Sequence, residues 1–528
     1  MVRGEQLQFP LPEKLNLGAY FLDVNLEQGR GDKTAIYYEE RTWSFLDLWR
    51  MTNRVGNVLR QLGVEPENRV LLILEDSPEW VATWLATLKV GGVGTHAYTY
   101  LLPQDYEHVI SLVRPKVVVV DETTLERVRQ ACGHLEYPRA LLVAGEGVSD
   151  LREREFSLRR MMEAADEQLE VEPTHRDDIA FWNFSGGTTG RPKGVPHMHR
   201  DSVVSYESFN YFLGYASDDI VARVPKLFFH YARDNGMLFA LRAGAAVVLS
   251  SERTTASSIF ELIGKYRPTV LLNVPTMMRA MIRTPKAERT DVSCLRRMLS
   301  SGEVLSPQLH EEWMSHFGVE VLDRLGSAES GMGYLCNRPG AVVPGSSGTV
   351  TPLAEIRLVD GDGNEVPRGQ AGVLMTRSDA AGLCYVREHE KSHVSFPGGE
   401  WVNTGDLFVL DDKHRFWYVG RADEMVKVSG VWVSPLEIEH GLHKCPSVLE
   451  CATLAMTNGD GLTTIKAFVV LRKGEKISPA TPEELQQYCR RKFGPHKVPG
   501  AIQLMDELPK TGQGKIDRRL LREQAPSN

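Results

Sequence analysis

Glycines, hydroxyl side chains and a lysine are concentrated in one short segment, Phe184-Ser-Gly-Gly-Thr-Thr-Gly-Arg-Pro-Lys-Gly194. Glycines let backbone amides approach an anion, hydroxyl groups donate hydrogen bonds, and lysine adds positive charge. The composition therefore indicates a loop that binds polyphosphate. The Walker spacing is absent because Gly194 follows Lys193, which disfavours a P-loop NTPase. The candidate phosphate ligands are Ser185, Gly187, Thr188, Thr189, Gly190 and Lys193.

This loop resembles the signature phosphate loop of the adenylate-forming superfamily, which includes acyl- and aryl-CoA synthetases, firefly-type luciferases and the adenylation domains of peptide synthetases. The resemblance extends over about residues 20–520, through several motifs in the family's order. Gly186 is a departure, since the family usually has serine or threonine there. The resemblance implies an enzyme that uses ATP and Mg²⁺ to convert a carboxylic acid to an acyl-AMP, and then transfers the acyl group to coenzyme A.

Further segments resemble the nucleotide-binding motifs of that superfamily. The turn Ser301-Gly-Glu303 is similar to its adenine-binding turn, which implies roles for Gly302 and Glu303. The segment 323–329 resembles the motif whose acidic residue holds Mg²⁺, a cation that prefers carboxylate oxygen. Ala328 departs from the threonine that commonly touches the AMP phosphate. By this resemblance Glu329 is the metal ligand and a catalytic residue, Asp406 accepts hydrogen bonds from the ribose, and Asp323 and Arg421 contact the nucleotide.

The end of the chain resembles the superfamily's mobile C-terminal module. The resemblance makes Asp423 the hinge and places Lys427 and Gly430 near the thiol of coenzyme A after the module turns. Lys515 lies in the glycine-flanked segment 510–517 and matches the family's adenylation lysine. The attacking carboxylate and the α-phosphate are both anions, so a lysine on a mobile loop would offset their repulsion. Lys515 and Lys427 are accordingly predicted to be catalytic.

The segment 225–236 is similar to the acyl-pocket segment of benzoate–CoA ligases, the nearest subfamily. Its Phe229 and Tyr231 are aromatic side chains that can stack on a flat ring. A histidine at position 230, the pair Arg233-Asp234 and the small residues of Gly331-Met-Gly333 depart from that subfamily. Small residues at 328, 331 and 333 predict a roomier pocket. The predicted acid-pocket residues are Phe229, His230, Tyr231, Gly331, Met332 and Gly333.

Several alternatives stay open at this level. An aromatic, benzoate-like acid is expected, but a substituted benzoate, a phenylpropanoid, an alicyclic acid or a medium-chain acid fits these departures too. The acyl acceptor is coenzyme A or, alternatively, a carrier protein, and a luciferase-type oxygenase is a weaker alternative. A non-catalytic nucleotide-binding protein is disfavoured because six charged motif residues occur together: Lys193, Glu329, Asp406, Arg421, Lys427 and Lys515.

The elements that must position these motifs alternate between strand and helix. The apolar run at 69–75 predicts a buried strand, and the segment after it has the apolar periodicity of a helix. The alternation repeats after residue 240, which indicates an α/β fold with parallel sheets. We predict an N-terminal domain (1–422) of two stacked α/β subdomains (45–235 and 236–340) and a small β-barrel (341–420), followed by a small mobile α+β C-terminal domain (423–528).

Composition excludes several other classes of protein. The chain of 528 residues has a formal net charge of −8, so no positive field exists to attract nucleic acid. Seven dispersed cysteines without C-x-x-C pairs predict reduced thiols in a cytoplasmic protein. No apolar run approaches the ~18 residues of a membrane-spanning helix. The expected partners are therefore a small carboxylic acid, ATP and coenzyme A, without nucleic acid or membrane, and a homodimer is left open.

Overall fold

The structure is a computed structural model that describes residues 1–133, 135–145, 150–186, 192–428, 431–457, 463–472, 481–493, 498–510 and 516–524. The strands in these residues are β1 (Val2–Arg3), β2 (Thr34–Tyr38), β3 (Arg41–Ser44), β4 (Arg69–Ile73), β5 (Val93–His96), β6 (Val117–Asp121), β7 (Ala140–Ala144), β8 (Glu155–Ser157), β9 (Ile179–Gly186), β10 (Pro192–Met198), β11 (Ile220–Arg223), β12 (Ala246–Leu249), β13 (Val270–Asn273), β14 (Arg297–Ser300), β15 (Val321–Gly326), β16 (Gly333–Cys336), β17 (Thr349–Val350), β18 (Glu355–Val359), β19 (Ala371–Arg377), β20 (Val402–Leu410), β21 (Phe416–Arg421), β22 (Val426–Val428), β23 (Val431–Val433), β24 (Val448–Thr457), β25 (Thr463–Leu471) and β26 (Ala501–Leu504).

The helices are α1 (Leu17–Leu22), α2 (Val24–Glu27), α3 (Phe45–Gln61), α4 (Pro78–Lys89), α5 (Pro103–Val113), α6 (Leu125–Cys132), α7 (Leu158–Ala164), α8 (His199–Phe212), α9 (His230–Arg233), α10 (Phe239–Ala243), α11 (Ala256–Tyr266), α12 (Pro275–Arg283), α13 (Pro307–Phe317), α14 (His389–Ser395), α15 (Pro435–His443), α16 (Pro482–Phe493) and α17 (Arg518–Gln524). A π-helical turn (Asp234–Leu238) joins α9 to α10.

The first large sheet has the strand order β10-β9-β5-β4-β6-β7-β8. Its pairs are parallel except that of β9 with β10, which is antiparallel. The strand β4 is an apolar run that is buried on both faces, as expected for a parallel strand covered by helices. The sheet therefore ends, on one side, in the antiparallel pair that carries the predicted phosphate loop.

The second large sheet has the order β17-β16-β15-β14-β13-β11-β12-β2-β3. The pairs from β2 through β12, β11, β13 and β14 to β15 are parallel. Strands β2 and β11 belong to this sheet although they precede residue 236, because β2 pairs with β12, and β11 lies between β12 and β13. The strands of the second sheet thus do not come from one continuous stretch of the chain. The predicted division into subdomains stays a prediction.

One apolar core joins the two large sheets. It contains Leu72 of β4, Val247 of β12, Leu272 of β13 and Trp84 of α4, all of them fully buried. The strands β9, β14 and β15 begin in this core, and the segments that follow them carry predicted site residues. Ligands of open parallel sheets bind beyond the carboxyl ends of the strands, so the core holds these ends on a rigid support.

The rest of the chain forms smaller sheets. An antiparallel sheet has the order β1-β18-β19-β20-β21, and the terminal part contains the hairpin β22–β23 and the sheet β24-β25-β26. Helices α15 and α16 pack with the latter sheet through a core of their own, which includes Ile438, Leu442, Ile465 and Leu485. The predicted α/β class with a small C-terminal α+β unit is confirmed. No helix among the described residues has the length and apolar character needed to cross a membrane.

Candidate active site

The strands that flank the phosphate loop bring Ser185 and Lys193 together. Ser185 near the end of β9 pairs with Lys193 near the start of β10. The Nζ atom of Lys193 lies 4.0 Å from the centroid of the Tyr385 ring. Burial lowers the pKa of Lys193, and the carboxylate of Glu329 acts in the opposite direction. Outside the described residues lie four predicted phosphate ligands, Gly187, Thr188, Thr189 and Gly190.

The predicted magnesium ligand, Glu329, is held by a tyrosine that is distant in sequence. The Tyr385 hydroxyl donates a 2.6 Å hydrogen bond to Oε1 of Glu329, and the amide of Gly382 donates to its carbonyl oxygen at 2.8 Å. Burial and the adjacent carboxylate raise the pKa of Tyr385, so its hydroxyl remains a donor. The tyrosine thus contacts the Lys193 ammonium with its ring and the Glu329 carboxylate with its hydroxyl, an arrangement that suits a cation bound to polyphosphate.

The predicted ribose acid, Asp406, faces Arg421 across the strands β20 and β21. The Nη1 atom of Arg421 lies 3.3 Å from Oδ1 of Asp406 and donates to the carbonyl oxygen of Thr404 at 2.7 Å. Its Nε donates to Asp423 at 3.1 Å, and the Tyr418 hydroxyl is 3.4 Å from Asp406. Burial raises the pKa of Asp406 against the opposing effect of Arg421. One guanidinium therefore connects the predicted ribose acid with the predicted hinge acid.

The predicted adenine turn follows β14. Gly302 has a φ of +85°, which glycine adopts without strain. The Oε2 atom of Glu303 accepts hydrogen bonds from the amide (3.1 Å) and hydroxyl (2.7 Å) of Thr276, so this carboxylate is tied to the first turn of α12. Burial raises the pKa of Asp323 on β15 to about 8, although the Ser300 hydroxyl favours its ionised form. At neutral pH Asp323 is mainly a protonated carboxyl that can both donate and accept.

The loop that carries Glu329 is also held by His197, which the sequence analysis missed. Its Nε2 lies 2.8 Å from the carbonyl oxygen of Ala328, and its Nδ1 lies 2.9 Å from Oδ2 of Asp201. Both His197 and Asp201 are buried. A carbonyl oxygen only accepts, so Nε2 carries a proton. No local pattern signals this role, because Ala328 is 131 residues away along the chain.

The predicted acid-pocket residues from the segment 225–236 lie at the start of α9. The Tyr231 hydroxyl donates to the carbonyl oxygen of Leu299 at 3.2 Å, and its ring is buried. The ring centroid of Phe229 is 5.2 Å from that of Tyr98, an aromatic residue that was not predicted. His230 is the first residue of α9. Met332, from the second predicted segment, is also buried.

The roomier pocket expected from the small residues is wrong at Gly331 and Gly333. A Cβ atom at Gly331 would lie 2.1 Å from the carbonyl oxygen of Ala380 and 2.9 Å from the His197 ring. At Gly333 it would lie 2.3 Å from Nε of Arg324. The space that these glycines free is therefore filled by neighbouring backbone and side chains.

The residues predicted for the mobile C-terminal module, for either reaction step, lie in the terminal part of the chain. Lys427 is in β22, where its backbone pairs with Trp432 of β23. Lys510 and Ile516 form an antiparallel bridge at the two ends of the segment that contains Lys515. Ser434, at the start of α15, donates a 2.8 Å hydrogen bond to the carbonyl oxygen of Val419 on β21. Gly430 and Lys515 lie outside the described residues.

Comparison with known families and sequences gives matches over nearly the whole chain. A family described as AMP-binding enzyme matches residues 23–386, and one described as AMP-binding enzyme C-terminal domain matches residues 437–515. A benzoate–CoA ligase of Thauera aromatica is 35% identical over 515 residues, which are 97% of this chain and 96% of that protein. A 4-hydroxybenzoate–CoA/benzoate–CoA ligase of Rhodopseudomonas palustris is 36% identical over 511 residues, which are 96% of this chain and 94% of that protein.

Solved structures show the same likeness. The crystal structure of the anthranilate CoA ligase AuaEII in complex with anthranoyl-AMP superimposes with a TM-score of 0.91 at 33% identity, covering 98% of both chains. A benzoate CoA ligase from Burkholderia xenovorans LB400 gives a TM-score of 0.87 at 34% identity, covering 96% of this chain and 99% of its own. The arrangement of sheets described above is thus shared with both.

Proposed function

The chain belongs to the AMP-binding enzyme family, and from this membership we propose that it is an ATP-dependent ligase that joins an aromatic carboxylic acid to coenzyme A through an acyl-AMP. The observation that carries the proposal is the contact of Tyr385 with both Lys193 and Glu329 beside the hairpin of β9 and β10. Relatives whose names include benzoate and hydroxybenzoate as substrates support an aromatic acid.

The first reaction step joins two anions, the carboxylate of the acid and the α-phosphate of ATP. We assign to Lys193 the role of offsetting the phosphate charge, which is supported by its partial desolvation, since desolvation strengthens its interaction with an anion. We assign to Lys515 the neutralisation of charge at the α-phosphate during in-line attack. Pyrophosphate is the leaving group, and the acyl-AMP stays bound.

Glu329 would hold Mg²⁺. Its carboxylate accepts one hydrogen bond from Tyr385, and Mg²⁺ at nucleotide sites takes one or two carboxylates with the rest of its ligands from phosphate and water. Bound Mg²⁺ would neutralise part of the polyphosphate charge. Tyr385 orients the carboxylate, and His197 fixes the backbone next to it at Ala328.

The nucleotide is assigned to the strands around this centre. Asp406 would accept from the ribose hydroxyls, because a carboxylate can take both of the vicinal donors. Arg421 would contact the phosphate or ribose, while Gly302, Glu303 and Asp323 are assigned to the adenine side. Ser185 and the four loop residues Gly187, Thr188, Thr189 and Gly190 are assigned to the phosphates.

In the second step the thiol of coenzyme A, as its thiolate, attacks the acyl carbonyl carbon of the acyl-AMP; the thioester bond forms, the acyl–phosphate bond breaks and AMP leaves. We propose that the C-terminal domain turns about Asp423, withdraws Lys515 and brings Lys427 and Gly430 to the thiol. The hydrogen bond between Ser434 and Val419 belongs to the orientation described here and would have to break in such a rotation. A cytoplasmic location and a homodimer stay predictions.

Pyrophosphate release tests the proposal directly. Purified protein with ATP and Mg²⁺ should release pyrophosphate on addition of at least one aryl acid, and it should form a thioester when free coenzyme A is added. Phenylpropanoid, alicyclic and medium-chain acids at the same concentration serve as comparisons. If a thioester forms only with a holo-carrier protein, the acyl acceptor is that carrier protein and not coenzyme A. If the protein binds ATP but turns over none of the acids, the ligase assignment is refuted.

A further inference from the structure

Arg324 of β15 is a buried cation whose charge no neighbouring carboxylate compensates directly. Its exposed fraction is 6%, and its guanidinium carbon lies 5.6 Å from the centroid of the Phe209 ring. Among the described residues, no carboxylate lies within 4.0 Å of this guanidinium and no acceptor receives a hydrogen bond from it. Burial lowers the pKa of Arg324.

The acidic groups near Arg324 are already engaged or neutral. Asp234 accepts two hydrogen bonds from Arg233, at 2.7 and 3.1 Å, so this pair cancels its own charge. Asp323, the preceding residue on β15, is mainly protonated at neutral pH because its pKa is about 8. Tyr215, Tyr231 and Cys336 are neutral neighbours. The region therefore carries one uncompensated positive charge, which is costly unless a ligand supplies the counter-charge.

The position of Arg324 relates this charge to the acid pocket. Its Nε occupies the place where a side chain at Gly333 would begin, 2.3 Å from the ideal Cβ position. Tyr231 lies within electrostatic reach of its guanidinium. Both Gly333 and Tyr231 are predicted acid-pocket residues, so the arginine takes up the space that the glycine frees in this pocket.

We propose that Arg324 is a specificity-determining residue that binds a second anionic group, a carboxylate or a sulfonate, on the ring of the aromatic acid. This inference rests on the proposed function. The planar guanidinium matches a planar carboxylate with two parallel hydrogen bonds, which a buried site strengthens. A ring without an anionic substituent would leave the arginine buried and unpaired, whereas an anionic substituent restores the balance of charge.

The test compares acids that differ only in the charge of one substituent. Pyrophosphate release is measured with isophthalate, terephthalate, 3-sulfobenzoate and 4-sulfobenzoate, and with the neutral 3- and 4-carbamoylbenzoates. The wild-type kcat/KM should be at least 10-fold higher for one anionic acid than for its neutral counterpart. In Arg324→Met this ratio should fall at least 10-fold, to about 1 or below, because methionine keeps the apolar bulk and loses the charge.

Arg357→Met is the matched control, since Arg357 also lies over an aromatic ring, 4.3 Å from the centroid of Trp401, but on β18. Its ratio should equal that of the wild type. If the Met variant of Arg324 does not fold, Arg324→Lys should give an intermediate ratio. A wild-type enzyme that prefers the neutral counterpart of every pair overturns the proposal and leaves the ligase function intact. An enzyme inactive with every acid refutes the function itself.

Discussion

At the scale of single residues, Tyr385 joins two charged groups whose motifs are far apart in sequence. Tyr385→Phe removes the 2.6 Å hydrogen bond to Glu329 and keeps the ring under Lys193. A hydrogen bond to a charged group contributes about 1.5–3 kcal/mol, so acid-dependent pyrophosphate exchange should slow roughly 10- to 100-fold. The Mg²⁺ concentration at half-maximal rate should rise as well, because the carboxylate loses its orientation.

The exposed Tyr211 provides the control for this change. Tyr211→Phe should leave both the exchange rate and the Mg²⁺ dependence at wild-type values. An unaltered exchange rate in Tyr385→Phe would show that Glu329 is positioned without the phenol, and that His197 and the backbone suffice.

Asp323 makes the stability of the protein depend on pH. The folded chain keeps the proton of Asp323 up to about pH 8, whereas the unfolded chain releases it near pH 4. The unfolded state therefore binds fewer protons across this window, and the free energy of unfolding falls as pH rises from about 4 to 8. The advantage of Asp323→Asn over the wild type in free energy of unfolding should be larger at pH 8 than at pH 5 by on the order of 2–4 kcal/mol.

Thermal unfolding at pH 5 and pH 8 measures this difference. Asp362→Asn, which alters an exposed carboxyl in a turn, should shift the midpoint equally at the two pH values. A constant difference between Asp323→Asn and the wild type would mean that the Asp323 carboxyl is ionised in the folded protein.

The site residues that could be predicted from sequence stand in local motifs, whereas those found only in the structure act through contacts between distant segments. Lys193, Glu329, Asp406 and Arg421 stand in local motifs, so their types and spacing could be read along the chain. Tyr385 acts on a group 56 residues away, and nothing in its immediate neighbours distinguishes it. Such contacts depend on how β15 and the segment before α14 meet, which no local pattern encodes.

At the scale of elements, the turn after β15 is closely packed. Gly331 has a φ of +64°, and a Cβ there would lie 2.1 Å from the carbonyl oxygen of Ala380. Gly331→Ala should lower the free energy of unfolding by about 2–5 kcal/mol, the sum of left-handed backbone strain and overpacking. Pyrophosphate release should fall too, since the same turn carries Glu329.

Gly340→Ala separates the two contributions. Gly340 has a φ of +73° but no atom within 4 Å of its Cβ position, so alanine there meets only the backbone strain of about 1–2 kcal/mol. Equal destabilisation by the two substitutions, measured by thermal unfolding, would mean that the segment at Ala380 moves aside and that the turn tolerates a larger residue.

Element types were more predictable than element partners. Apolar runs and helical periodicity indicated parallel α/β sheets because burial on both faces leaves a pattern in each strand. The pairing of β2 with β12 leaves no such pattern, since it joins segments about 200 residues apart. The second sheet therefore contains β2, β3 and β11, which all lie before residue 236, the predicted start of the second subdomain.

At the scale of the whole molecule, the roles proposed for Lys515 and Lys427 predict that the two reaction steps can be separated by mutation. Lys515→Ala should abolish pyrophosphate exchange and still allow thioester formation from supplied acyl-AMP. Lys427→Ala should do the reverse, because its side chain is assigned to the thiol-facing orientation. Isotope exchange and thioester assays on both variants measure the two steps separately. Equal loss of both activities in each variant would contradict a domain that alternates between two orientations.

Arg421 donates from two of its nitrogens to two acids, Asp406 and Asp423, for which different roles are predicted. Its Nη1 lies beside Asp406, and its Nε bonds Asp423, so a nucleotide that draws the guanidinium toward itself must loosen the second bond. Nucleotide binding would then shift the preferred angle of the terminal domain, and that angle would shift the nucleotide affinity by the same free energy. A tightly held triphosphate and a retained monophosphate need not favour the same angle. In that case the loss of pyrophosphate would by itself change the preferred angle of the terminal domain through Arg421, and no other group would be needed to detect that loss.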